Sequence, residues 1–320
     1  MAARSPAQTD APNLDPAVLA QVGALELRAR LVIDGLLQGL HRSPLQGESI
    51  EFAQHRPYTA GDDLRRLDWK VAAKTNKLYL KQYARETNLD LMLLVDASGS
   101  MAYRGPDAPW TKYDAASTVA AALAHLAVAQ QDRAALAVFD HDTRMATRLS
   151  NNTGHWRSIA EALANAAPQP AQPGETPNPE GRTDLAGLFD RITAELKRRS
   201  LIVLLSDLFD TPDVIDRGLA KLRFRGHDVV VLHVMDDAEL SFPFQRPGEF
   251  RGLEGEGRLR LSPRALRKAY LRAVEDHLEA VEDAAQRFQY DYALLDTGRP
   301  VGPALRRVLT RRAAFLRKGR

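Results

Sequence analysis

The fold is decided by the stretch Leu89-Asp90-Leu91-Met92-Leu93-Leu94-Val95-Asp96-Ala97-Ser98-Gly99-Ser100-Met101. Its five apolar residues from Leu91 to Val95 predict a short strand that is buried on both faces, as in a parallel sheet. The run ends at Asp96, and the hydroxyls of Ser98 and Ser100 follow at alternate positions. Because open α/β sheets bind ligands at the carboxyl ends of their strands, these three side chains are candidate ligand-binding groups.

Strands and helices alternate downstream of this stretch. Apolar runs predict strands over residues 134–139, 144–149, 201–205, 228–234 and 290–295. Helical periodicity predicts helices over residues 115–130, 156–166, 183–198, 213–224 and 263–288. This alternation indicates an α/β fold with a doubly wound, mostly parallel sheet and right-handed crossovers. Residues 240–261 interrupt the alternation, and their segment 258–261 is predicted as an added edge strand.

The chain before residue 89 has a different character. We expect residues 1–13 to be disordered and residues 14–88 to hold an amphipathic N-terminal helix followed by a charged, partly β segment. The helix begins at the N-cap Asp15, which Pro16 follows, and the sequence does not identify what its apolar stripe packs against. The charged segment fits either a salt-bridged structural cap or a recognition surface. The sheet domain is expected over residues 89–305, followed by a basic helix end over 306–320.

The composition restricts the chemistry and the location. The chain has no cysteine, which excludes disulfides, thiolate metal sites and cysteine nucleophiles. No apolar run reaches the about 20 residues of a membrane-spanning helix, and no signal peptide precedes the first helix. We therefore expect a cytoplasmic protein.

The net charge of +3 conceals a basic C-terminus. Residues 306–320 contain no acidic residue and seven basic ones, namely Arg306, Arg307, Arg311, Arg312, Arg317, Lys318 and Arg320. Without those seven, 37 basic residues stand against 41 acidic ones. The tail is interpreted either as a solvated helix end, where cations suit the helix dipole, or as a contact with an acidic partner, a nucleic acid or a membrane surface. No nucleic-acid-binding motif elsewhere supports the second interpretation.

Two further loops are expected to reach the same edge of the sheet as Asp96. Thr183 opens a predicted helix, and Asp207 follows the strand 201–205 directly. Together with Ser98 and Ser100 they supply two carboxylates and three hydroxyls, the oxygen ligands of a hard cation such as Mg²⁺, with Mn²⁺ or Ca²⁺ as alternatives. This set is too small to saturate a metal ion. We therefore expect an open coordination position that attracts a carboxylate of another protein, which is binding chemistry rather than catalysis.

These three segments resemble the metal-ion-dependent adhesion site of von Willebrand factor A domains over about residues 88–237. The resemblance carries the liganding role to Asp96, Ser98 and Ser100 in the first segment, Thr183 in the second and Asp207 in the third. The segment between Met101 and Thr111 departs from the family pattern, which leaves the contribution of the following helix open.

The charged segment resembles the signature of the bacterial DUF58 family, in which a conserved stretch precedes an A-type domain. The residues that carry this resemblance are His41, Ser43, Glu51, Arg56, Tyr58, Asp62, Asp63, Arg65, Asp68 and Trp69. The resemblance implies a partnership with a MoxR-type AAA+ ATPase, an adaptor or chaperone-like role, and a partner-binding surface at these residues.

Two alternatives to a metal-dependent interaction module remain. One is a metal-independent structural scaffold. The other is a hydrolase, either metal-dependent or a serine hydrolase that combines Ser98 or Ser100 with His233 and Asp207. The chain lacks a Gly-x-Ser-x-Gly nucleophile elbow and a Walker A loop, and His233 lies within an apolar strand, which is typical of a core histidine. We therefore expect a protein that is not an enzyme.

Overall fold

The structure is a computed structural model that describes residues 23–34, 54–57, 79–82, 89–168, 185–194, 196–254 and 257–306. The chain divides into two compact units, one of Met1–Leu37 with Leu89–Arg320 and one of Gln38–Asn88. The predictions for residues 1–13, for the tail beyond residue 306 and for Thr183 lie outside the described residues. So do nine signature residues, His41, Ser43, Glu51, Tyr58, Asp62, Asp63, Arg65, Asp68 and Trp69.

The smaller unit contains one described hairpin. Strand β1 (Gln54–Pro57) pairs antiparallel with strand β2 (Tyr79–Gln82). Arg56 lies in β1, opposite Leu80.

The larger unit is an α/β structure built on a six-stranded sheet. Its strands are β3 (Asp90–Asp96), β4 (Arg133–Phe139), β5 (Thr143–Ala146), β6 (Leu201–Ser206), β7 (Asp228–Met235) and β10 (Asp291–Asp296), and a separate hairpin is formed by β8 (Gly248–Arg251) and β9 (Arg258–Leu261). Its helices are α1 (residues 23–34), α2 (Lys112–Ala129), α3 (His155–Asn165), α4 (Leu185–Thr193), α5 (Pro212–Phe224), α6 (Asp237–Ser241), α7 (Pro263–Arg287) and α8 (residues 301–306).

The strand order is β10-β7-β6-β3-β4-β5, with every neighbouring pair parallel except the antiparallel pair of β4 and β5. This order confirms the predicted doubly wound, mostly parallel fold. The predicted strand 144–149 is the short β5. The prediction that 258–261 adds an edge strand to this sheet is wrong, because β9 pairs only with β8 in a sheet of two strands.

Strand β3 is central because its side chains supply both hydrophobic cores. Every residue from Asp90 to Asp96 is buried. Leu91, Leu93 and Val95 pack on one face with helices α1, α2 and α3, whereas Met92 and Leu94 pack on the other face with α4, α5 and α7. Since neighbouring residues of a strand point to opposite faces, a strand between two helical layers needs an unbroken apolar run.

Helix α1 joins the first of these cores. Leu25, Ala29 and Ile33 recur at intervals of four residues, and each is at least 94% buried. The apolar stripe that the sequence left without a partner thus packs against the helical layer of α2 and α3.

The topology also creates a crevice between β3 and β6. These strands are neighbours, and Val95 pairs with Leu205 in their register. The helix that follows β3 packs on one face of the sheet, and the helix that follows β6 packs on the other. Such a switch point, at the carboxyl ends of the strands, is where open α/β sheets bind ligands.

Candidate functional site

The crevice brings together four of the five predicted ligands. Asp96 ends β3, and its Oδ1 accepts a hydrogen bond from the Ser98 backbone N–H at 2.8 Å. The Oγ atoms of Ser98 and Ser100 lie 3.1 Å apart, and the Ser100 hydroxyl is among the groups that lower the pKa of Asp207. Thr183, the fifth residue, lies outside the described part of the chain.

Ser206 is a further member of this cluster that the sequence analysis did not single out. Its hydroxyl donates to Asp96 Oδ2 at 2.5 Å and accepts from the Leu208 backbone N–H at 2.9 Å. The last residue of β6 therefore holds the last carboxylate of β3 in place. The available signal was the dipeptide Ser206-Asp207 after an apolar run, of which only the aspartate was used.

The two carboxylates have opposite pKa shifts. Burial, together with the negative charge of Asp207, raises the pKa of Asp96 to about 7. Burial also acts to raise the pKa of Asp207, but the charge and hydrogen bond of Lys112 outweigh it, so the pKa of Asp207 lies below its ordinary value. Near neutral pH the site therefore holds one firmly ionised carboxylate and one that is poised to gain or lose its proton.

Lys112 is the main residue of the site that the sequence analysis missed. Its Nζ lies 2.8 Å from Asp207 Oδ2 and 2.8 Å from Glu239 Oε1. Only 2% of the side chain is exposed. Burial acts to lower the pKa of Lys112, but the charges of the two carboxylates prevail and raise it, so the ammonium stays charged. A lysine at the start of a helix ordinarily lies at the surface, and no local pattern marks this one as buried.

The start of α2 is held near the site by Asp236. The carboxylate of Asp236 accepts a hydrogen bond from the Gly105 backbone N–H at 3.0 Å and one from the Thr297 hydroxyl at 2.8 Å. A Cβ atom at position 105 would lie 2.2 Å from Asp236 Oδ1, so this close approach requires glycine. This contact fixes the segment between β3 and α2, which leads to Lys112 in the first turn of α2.

Glu239 links Lys112 to the end of β7. It lies on the short helix α6, and its Oε2 accepts a hydrogen bond from the Asp236 backbone N–H at 2.9 Å. Burial raises its pKa despite the opposing charge of Lys112. The ammonium of Lys112 therefore joins three segments, the start of α2, the loop after β6 and helix α6.

His233 is buried beneath the site in the middle of this network. Its Nε2 lies 2.9 Å from the carbonyl oxygen of Asp207 and its Nδ1 lies 3.1 Å from the Tyr292 hydroxyl. Since a carbonyl only accepts, Nε2 carries the proton and Nδ1 accepts from Tyr292. Burial lowers the pKa of His233 to about 3, so the ring is neutral. Both ring nitrogens are occupied by structural contacts.

The donor set fits a hard divalent cation in kind. Asp96, Ser98, Ser100 and Asp207 provide carboxylate and hydroxyl oxygens, which Mg²⁺ prefers. The described residues contain no group of three or more His, Asp or Glu side chains arranged to hold a metal ion, so a cation here depends on the hydroxyls as well as the two carboxylates. Ionisation of Asp96 is unfavourable because the side chain is buried beside the negative charge of Asp207. A bound cation would offset this repulsion.

Comparison with known proteins assigns most of the chain to one family. Residues 54–280 match the family model described as "Protein of unknown function DUF58". An uncharacterized protein of Mycobacterium tuberculosis strain H37Rv and one of Mycobacterium bovis are each 30% identical over 231 residues, which cover 72% of this chain and 68% of theirs.

The similarity to solved structures is weaker. An aerotolerance-related membrane protein from Bacteroides fragilis is 14% identical, with a TM-score of 0.42, over 70% of this chain and 99% of that one. The conserved hypothetical protein BatB from Bacteroides thetaiotaomicron is 13% identical, with a TM-score of 0.41, over 71% and 99%. In the described part of this chain, no helix combines the length and the apolar character that a membrane crossing requires.

Replacing Lys112 tests the buried ion network. We expect Lys112→Met to lower the free energy of unfolding by about 3–5 kcal/mol, because Asp207 and Glu239 lose their shared counter-charge. Lys221→Met, which removes a half-exposed lysine 3.6 Å from Asp190, should cost less than about 1 kcal/mol. Urea unfolding of both variants measures the difference. Equal stabilities of the two variants would contradict the network's role.

The raised pKa of Asp96 predicts a pH dependence of stability. Between its ordinary pKa of 3.8 and the folded value of about 7, the folded state binds the proton that the unfolded state has lost. The contribution of Asp96 to the free energy of unfolding therefore falls as the pH rises through this range. In EDTA, the stability of wild type relative to Asp96→Asn should fall from about pH 4 to pH 7 and level off above it. A difference that does not change with pH would refute the assignment.

Proposed function

This chain belongs to the DUF58 family, and on that basis we propose that it is a Mg²⁺-dependent protein-interaction module of the von Willebrand factor A type. Asp96, Ser98, Ser100 and Asp207 would hold the ion, with Thr183 as the further ligand that the family resemblance implies. When bound, the ion would offer an open coordination position to a carboxylate of another protein. Mn²⁺ and Ca²⁺ suit the same oxygen donors.

The observation that carries this proposal is the convergence of Asp96 and Asp207 at the switch point of the sheet. Both are more than 90% buried, and they come from strands that are more than a hundred residues apart in the chain. Burying two carboxylates together is unfavourable unless a cation accompanies them. Lys112 supplies a positive charge to Asp207 and Glu239. Asp96 instead accepts hydrogen bonds from the Ser98 backbone N–H and the Ser206 hydroxyl, which are neutral donors.

Binding without catalysis is the better interpretation of the surrounding side chains. The hydrolase alternative needs a general base for Ser98 or Ser100, and the nearby histidine considered for that role is His233. Its two ring nitrogens are bonded to Asp207 and Tyr292, and its low pKa reflects burial rather than activation for catalysis. We therefore propose a protein that is not an enzyme.

The proposed partner is a MoxR-type AAA+ ATPase, with this chain as its cytoplasmic adaptor or chaperone-like companion. This part of the proposal rests on the family resemblance. The DUF58 signature residues from His41 to Trp69 are proposed as a further contact surface for the ATPase or its client.

A metal-independent scaffold is the second candidate, and Lys112 is the observation that favours it. An ammonium group already neutralises Asp207 from inside the protein. If that ion pair suffices, the site is a structural crosslink that needs no metal.

Calorimetric titration with Mg²⁺ separates these two functions. We expect wild type to bind Mg²⁺ and Asp96→Ala to lose binding, because the ion loses one of its two carboxylate ligands. Asp210→Asn, three residues after Asp207, is the matched control and should bind like wild type. If wild type binds no Mg²⁺, or Asp96→Ala binds it equally well, the metal-dependent proposal fails and the scaffold remains.

The partnership requires a separate test with purified components. We expect a recombinant MoxR-type ATPase from the same organism to co-purify with wild type in Mg²⁺ and not with Asp96→Ala. The variant is a better comparison than EDTA, because EDTA also removes the Mg²⁺ that the ATPase needs for its nucleotide. Equal recovery of the ATPase with both forms would exclude a contact through the metal.

A further inference from the structure

The tip of the β8–β9 hairpin lies against the candidate metal site. Glu254 follows β8, and its Oε1 accepts a hydrogen bond from the Ser100 backbone N–H at 3.2 Å. A Cβ atom added at Gly99 would lie 2.4 Å from the carbonyl oxygen of Leu253 and 3.1 Å from Glu254 Cγ. The hairpin thus touches the turn that carries two proposed ligands, and it places a carboxylate there.

Aromatic rings anchor the base of the hairpin. Phe250 of β8 packs against Phe244 and Phe242, with ring centroids 5.4 and 6.1 Å away, and Phe242 lies 4.4 Å from Tyr270 of helix α7. These rings hold the start of the hairpin to the body of the unit.

Most residues in the two strands of the hairpin are exposed. Apart from Phe250 and Leu261, which are partly buried, the residues of both strands are exposed, and the strands form a sheet of their own. Because a two-stranded hairpin by itself is only marginally stable in water, local opening of this hairpin costs less free energy than unfolding of the central sheet.

We propose that Glu254 is an internal substitute for the partner carboxylate, so that the hairpin tip caps the site until an acidic segment of a partner displaces it. The inference rests on the proposed function, because the open coordination position is what the partner carboxylate would take. The chemistry of the two carboxylates is the same. Each would accept the Ser100 N–H, so only one carboxylate can be accommodated at that position at a time.

The experiment measures how tightly an external carboxylate binds to the full-length protein loaded with Mg²⁺. The probe is acetyl-Gly-Glu-Gly-amide, whose only charge is one carboxylate, and its binding is read from the NMR shift of the Ser100 amide. Acetyl-Gly-Gln-Gly-amide is the probe control. Glu249→Gln is the protein control, because it removes a glutamate of the same hairpin whose exposed ion pairs with Arg258 and Arg260 add little stability.

Glu254→Gln should raise the affinity for the glutamate peptide by about five-fold or more, which is the scale of a coupling between two competing ligands. Gly99→Ala keeps the carboxylate but excludes the tip sterically, and it should act in the same direction. Glu249→Gln should match wild type. In metal-free protein, Glu254→Gln should also speed hydrogen exchange of the Ser100 amide.

Two failures are distinguishable. If wild type binds Mg²⁺ but Glu254→Gln binds the peptide no more tightly than Glu249→Gln does, the capping role is overturned and the proposed function stands. If wild type binds no Mg²⁺ in the calorimeter, the proposed function fails, and the capping role fails with it.

Discussion

The buried ammonium of Lys112 is the interaction on which the architecture of the site depends. Removing a lysine and two carboxylates from water costs several kcal/mol for each ion, and only short contacts in the interior offset that cost. Lys112 makes two such contacts at 2.8 Å. Because Asp207 follows β6 and Glu239 lies on helix α6 after β7, the ammonium holds two strand ends and the start of α2 in one arrangement.

This arrangement creates an asymmetry between the two carboxylates. Asp207 has an internal counter-charge, whereas Asp96 is held by the Ser98 N–H and the Ser206 hydroxyl. The pKa of Asp96 rises to about 7 as a result of burial and the charge of Asp207. Lys112 thus supplies an internal counter-charge to Asp207, whereas Asp96 remains a carboxylate whose ionisation a cation would favour. The same charges support the metal-dependent module and the structural scaffold, which is why metal affinity is the quantity that separates them.

The chain also supplies its own competitors for external ligands. Lys112 approaches the carboxylates from within the protein, and Glu254 approaches the Ser100 turn from the hairpin. An incoming cation and an incoming carboxylate would therefore each meet an internal group of the same charge. Stable binding would then require the cation and the partner carboxylate together, rather than a high affinity for one of them alone.

The sequence by itself determined the strands of the six-stranded sheet, the two-faced burial of β3 and the proximity of Asp96, Ser98 and Ser100. Those features are local, because alternation along a strand and the spacing within one turn depend on neighbouring residues only. Asp207 contributes to the site because β6 lies next to β3. The sequence made this neighbourhood plausible, and the register of the sheet established it. Lys112, Ser206 and Glu254 were decided by tertiary structure alone. Each is an ordinary residue in its local sequence, and its role arises from contacts with groups 95, 110 and 154 residues away in the chain.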